Sequence, residues 1–129
     1  RMREFEQMEL EWFCKPDQVE KYFEFWTTRR KAFYQEIGIS PEKIRLREHA
    51  KDELAHYSSR CIDVEYEFPF GWKELEGMAD RGSFDLQQHS NHSGKDLGVY
   101  DDETKESYMP HIVECSVGTD RLFLTLLFD

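Results

Sequence analysis

Apolar residues recur along this chain at two different periods, and the switches between them lay out its elements. From Arg1 to Phe13 the period is two: Met2, Met8, Leu10 and Trp12 share one side, while Phe5, Phe13 and odd-numbered polar residues share the other. That is a strand with one side turned to a core. Asp17 followed three residues later by Glu20 has the form of a capping box, and Tyr22, Phe23, Trp26 and Phe33 continue as an amphipathic helix to a stop at Gly38. Ile39-Ser40-Pro41-Glu42 reads as a turn, Lys43 to Glu48 as a short strand, and Ala50 to Arg60 as a helix on propensity alone. Cys61 to Phe68 alternates again, Pro69-Phe70-Gly71 breaks it, Trp72 to Ala79 is a further strand, and Phe84 to His92 is a short helix ending near Ser93-Gly94. Asp101-Asp102-Glu103-Thr104 is a hairpin-type turn between Leu97–Tyr100 and Tyr108–Val117, after which Gly118 opens an apolar run of helical length, read as a buried helix. Strands joined by hairpins and long excursions, without regular βαβ alternation, predict an α+β domain: an antiparallel sheet flanked by helices.

Composition narrows this picture. Ten Phe, six Tyr and three Trp among 129 residues supply enough apolar area for one ordered domain. A net charge of -10 excludes a protein that grips nucleic acid through a general basic field, so any such contact must be local. Cys14, Cys61 and Cys115 are odd in number and lack metal-ligand spacing, which predicts reduced thiols and a cytoplasmic location. No apolar run is long enough to span a bilayer and no leader pattern is present, so no membrane partner is expected. P-loop, dinucleotide-fold and serine-hydrolase motifs are all missing. His49, His56, His89, His92 and His111 carry no His-Glu-x-x-His pattern, which leaves a metal-dependent hydrolase as a weak rival.

Arg1, Phe5 and Glu9 are spaced four and four. On one strand face, at roughly 13 Å per step, they set a cation, an aromatic plate and a carboxylate in a row that could span a nucleotide. Basic, x3, Phe, x3, acidic is also the second half of motif 2 in class II aminoacyl-tRNA synthetases. The segments Arg3-Glu-Phe-Glu-Gln-Met-Glu9, Leu46-Arg-Glu-His49, Glu53-Leu-Ala-His-Tyr57, Phe70-Gly-Trp72, Phe84-Asp-Leu86, His92-Ser-Gly94 and Glu114-Cys-Ser-Val-Gly-Thr-Asp-Arg121 resemble the bacterial-type glycyl-tRNA synthetases in order and spacing, across essentially the whole chain.

The resemblance implies a catalytic-domain fragment running from motif 2 to motif 3. Residues 1–13 would be the second strand of motif 2, 14–69 an inserted helical and strand region, 70–117 core strands with an excursion, and 118–129 the motif 3 helix. It implies ATP contacts at Arg1, Met2, Arg3, Phe5, Glu74, Leu75, Gly118, Thr119, Asp120 and Arg121, with adenine between Phe5 and Arg121 and Mg²⁺ held by Glu74. Glycine contacts fall at Glu9, Arg81, Glu114 and Ser116, and the catalytic positions at Arg81 and Arg121. Glu114 and Ser116 share a strand face by spacing, whereas Glu74 and Arg81 differ in parity, so Arg81 is expected beyond the strand end. Cys115 stands where the family commonly has Pro. The implied activity is ATP-dependent formation of glycyl-adenylate and transfer to tRNA(Gly), by a homodimer in the full-length protein. The fragment alone is expected to be inactive, since motif 1, the first motif 2 strand and the anticodon-binding domain would lie outside it. A non-catalytic synthetase-like module that binds RNA or a protein partner is the alternative.

Overall fold

The computed structural model describes residues 3–129; Arg1 and Met2 lie outside the described residues. Five antiparallel strands form the main sheet in the order β1-β7-β4-β3-β2: β1 (Gln7–Cys14), β2 (Ile44–Glu48), β3 (Arg60–Phe68), β4 (Gly71–Gly82) and β7 (His111–Gly118). A separate two-stranded hairpin, β5 (Val99–Asp101) with β6 (Glu106–Tyr108), stands on the connection between β4 and β7. The helices are α1 (Val19–Glu36), α2 (Phe84–Ser93) and α3 (Thr119–Phe128). The α+β class with an antiparallel sheet is as the pattern predicted.

The alternation read from the sequence fixes the closed face of the sheet. Leu10 and Trp12 of β1 turn toward α1, where the Trp12 ring lies 5.2 Å from Tyr22 and 5.6 Å from Trp26. Phe23 and Tyr34 of α1 are sealed against Val64, Tyr66, Met78, Val113, Cys115 and Val117. The helix ends at Gly38 as expected: Gly38 has φ of 100°, its N–H donates to Gln35 O, and that of Ile39 donates to Tyr34 O, a Schellman closure that only glycine enters without strain.

Several expectations need correction, each for a local reason. The first strand begins at Gln7, because Gln7 pairs with Gly118, where its partner strand β7 ends. Phe5 is therefore off the strand, and the Phe5–Glu9 row is not a strand-face row. The capping box is not formed: α1 starts at Val19 with no side-chain cap, and Glu20 instead pairs with Arg60 at 2.8 Å. The segment from Ala50 to Ser59 is turns, since the Glu53 carboxylate takes the Ala50 N–H at 3.0 Å and Arg47 at 2.5 Å. Met109-Pro110 divides the expected strand from Tyr108 to Val117 into β6 and β7, as a proline has no N–H to give the ladder. Finally, α3 is a helix but not a buried one: Phe123 is 64% and Leu127 67% exposed.

Candidate active site

The open face of the sheet carries the chemistry. On β7, Glu114 and Ser116 point to this side, with Ser116 opposite Glu9 and Gly77, and Glu114 opposite Glu11 and Ala79. Asp63 of β3 lies opposite Gly77, and Cys61 opposite Ala79. Small residues at Gly77 and Ala79 leave a floor between walls of carboxylates. Between Val64 and Glu65 the register slips, so that Glu76 faces Val64 but Glu74 faces Glu65, leaving Leu75 as an extra residue on β4. This bulge puts even-numbered Glu74 and odd-numbered Gly77, Ala79 and Arg81 on the same side. Arg81 thus lies inside β4, not beyond its end, because counting parity through a bulge gives the wrong face.

Two of the cavities on this face bear on the site. The larger, about 380 Å³, is lined by Phe5, Glu6, Gln7, Glu74, Leu75, Ser116, Gly118, Asp120 and Arg121. It combines an aromatic ring and aliphatic surface with the first turn of α3, where unpaired backbone N–H groups collect. Arg121 Nη1 donates to Glu74 O at 2.7 Å, fixing the guanidinium at the rim. The smaller, about 300 Å³, is lined by residues including Tyr57, Cys61, Asp63, Glu74, Gly77, Glu114 and Ser116. Glu74 and Ser116 line both, so the two cavities adjoin.

Arg81 is held by three groups: Asp85 at 2.7 Å, Glu114 at 2.7 Å, and the Tyr57 ring, whose centroid is 4.2 Å from the guanidinium carbon. The hydrogen bond from Arg81 holds the Asp85 carboxyl below its usual range. Glu114 moves the other way: burial raises it most, Arg81 pulls it down, and the nearby charges of Glu9 and Glu11 push it up again. A carboxylate raised in this way gains from an added cation. Burial and acidic neighbours also push the Cys61 thiol up to about 11, while burial beside Glu76 pushes Cys115, on the closed face, up to about 12. Neither is primed as a nucleophile.

Of the residues singled out by sequence, Phe5, Glu74, Leu75, Gly118, Asp120 and Arg121 meet around the larger cavity, and Glu114 and Ser116 around the smaller. Arg3 and Thr119 line neither, Thr119 giving its N–H to Glu6 O. Glu9 is in register with Ser116, yet it opens onto a neighbouring hollow with Glu11, Arg81 and Glu114. Sequence reasoning missed Gln7, which donates to both Glu9 and Ser116, and the Arg81 partners Tyr57 and Asp85. Asp85 had a visible signal, its i,i+4 spacing from Arg81; Tyr57 had none, as it arrives from a turn.

No protein-family model matches the chain. A glycine–tRNA ligase from Clostridium tetani is 54% identical over 129 residues, covering 100% of this chain and 28% of that protein. Over its whole length the chain is similar to a segment of that glycine–tRNA ligase. The ligases of Geobacillus thermodenitrificans and Staphylococcus epidermidis are each 50% identical over the same 129 residues, again 28% of their length. The chain therefore spans under a third of the ligases it matches, and both cavities fall inside the matched segment. No helix among the described residues is long and apolar enough to cross a membrane.

Proposed function

We propose that this chain carries the nucleotide and amino-acid subsites of a glycine–tRNA ligase. The observation that carries the reading is the meeting of two cavities at Glu74 and Ser116, one suited to a nucleotide and the other to a small ammonium compound. In the larger, Phe5 and Arg121 would hold adenine between a ring and a guanidinium. Among the described residues its wall bears one cation, Arg121, against the carboxylates of Glu6, Glu74 and Asp120. A triphosphate would be repelled there without divalent ions, and Glu74 offers the hard oxygen donor that suits Mg²⁺. When bound, Mg²⁺ would neutralise phosphate charge.

In the smaller cavity Glu114, supported by Ser116, would take glycine's ammonium group, and Arg81, which pairs with Glu114 from the neighbouring hollow, would face its carboxylate. Glycine has no side chain to grip, so selection rests on its charged ends and on the lack of space for anything larger. The glycine carboxylate then attacks the ATP α-phosphorus, the bond to pyrophosphate breaks, and the terminal ribose hydroxyl of tRNA(Gly) later displaces AMP. Alignment and charge neutralisation suffice for both steps. The homodimer and the remaining domains belong to this same proposal for the full-length protein.

Glycine-dependent ATP–pyrophosphate exchange tests the reading. A full-length protein carrying this segment should show exchange, and the 129 residues alone should show none. Exchange that is absent in the full-length protein, or that ignores glycine, would overturn it.

A further inference from the structure

The smaller cavity contains a side-chain group that the ligase reading leaves unused. Cys61 and Asp63 lie two apart on β3 and so share the open face, and the His49 N–H donates to Cys61 O at 3.0 Å, bringing the imidazole alongside. The ligand atoms of His49, Cys61 and Asp63 all lie within 4.8 Å of one another, and His49 Nε2 is 2.7 Å from Asp63 Oδ2. All three line the cavity, with Glu53 and Glu114 on its walls. Tetrahedral zinc, with bonds of about 2.0 to 2.3 Å, keeps its donors ~3.3 to 3.6 Å apart. Side-chain adjustment of about 1 Å would therefore close the group around one ion.

We propose that His49, Cys61 and Asp63 form a three-ligand site for a borderline-soft divalent cation such as Zn²⁺, with its fourth position open to the cavity. Imidazole, sulfur and carboxylate together select such an ion over Mg²⁺ or Ca²⁺, which prefer oxygen. As the metal–sulfur bond forms, the Cys61 proton passes to solvent, His49 enters as the neutral imidazole, and the thiolate and carboxylate together balance the ion's double charge. Arg47 opposes the cation from 3.8 Å off Asp63 Oδ2, but it also pairs with Glu53 at 2.5 Å. A bound ion would stand in the cavity that the ligase reading gives to glycine's ammonium group, making zinc an inhibitor. That consequence rests on the ligase reading; metal binding itself does not.

Cobalt titration of the tag-free full-length protein tests the site by the thiolate-to-cobalt charge-transfer band. One equivalent of Co²⁺ should bind and be displaced by Zn²⁺, the band should vanish in Cys61→Ser, and His49→Gln should weaken binding about tenfold or more. Cys115→Ser, on the closed face, should keep the band. Arg47→Gln should tighten binding severalfold, by removing a like charge. No band, or a band that survives Cys61→Ser in a protein with unchanged circular dichroism, overturns the proposal; so does weaker binding in Arg47→Gln. Glycine takes no part in this titration, so its failure leaves the ligase reading standing. A protein that binds cobalt as described yet shows no glycine-dependent exchange loses the ligase reading alone.

Discussion

Glu76 on β4 and Glu114 on β7 sit on neighbouring strands and opposite faces of one sheet. Glu76, 1% exposed, takes a hydrogen bond from Arg30 at 2.6 Å and another from the Tyr34 hydroxyl, both from α1. Its charge is matched and its surroundings are closed. Glu114 pairs with Arg81, which it shares with Asp85, and it stands near Glu9 and Glu11. One face satisfies its carboxylate within the fold, whereas the other leaves negative charge in excess at a cavity. That difference separates a residue that holds the molecule together from one that is available to a ligand.

Substitution should break this contrast in graded fashion. Glu76→Ala should have the largest effect: it strands Arg30 at a buried position, and breaking such a pair costs about 3 to 5 kcal/mol, to be read from urea denaturation. A loss near zero would show that α1 and the sheet do not depend on the pair. Glu114→Gln should act on binding instead, raising the glycine KM about tenfold to a hundredfold, as a charge-assisted contact is worth about 1.5 to 3 kcal/mol, with the ATP KM little changed. Equal losses for both substrates would refute the assignment.

The same variant should report on pH. The Glu114 carboxyl is raised in the fold, so protonation favours the folded state. That stability is full below the usual glutamate range and is lost as pH rises through the higher folded value. Glu114→Gln escapes the loss, and its melting temperature should equal or exceed that of the parent at neutral pH; a clear drop there would mean that Arg81 needs this charge more than burial penalises it. Arg121→Ala, at a half-exposed rim position, should raise the ATP KM by about threefold to tenfold with a smaller change for glycine. Glu9→Gln should be smallest, under about tenfold on the glycine KM, because Glu9 faces the adjoining hollow and already accepts from Gln7.

The closed face was largely legible in the sequence. Leu10 and Trp12 alternate as a core side must, Phe23 and Tyr34 fall at helical spacing, and Gly38 marks a helix end by its conformational freedom. The open face was less so. The stretch from Ala50 to Arg60 has helix formers but no apolar stripe to bury, so Glu53 could turn to the backbone and to Arg47 instead. Phe5 lay on an alternating run that continues past the end of its partner strand, and the end of β7 is a tertiary fact. His49 seemed unrelated to Cys61 because the spacing between them is a loop, and only strand pairing brings them together.

Leu75 shows how such limits arise. Three residues apart, Glu74 and Gly77 would face opposite ways in a regular strand; the bulge at Leu75 keeps them in step, so that β4 is two phrases of a single metre separated by a rest. Deleting Leu75 would remove a core side chain, 1% exposed, yet both halves of the strand would keep their orientation. Deleting Met78 instead would invert everything on one side of the cut, trading either Gly77 or Ala79 against a closed-face side chain. A length change in this strand is thus survivable at one point and ruinous a few residues away, and an alignment that places its gaps by similarity alone would not distinguish the two.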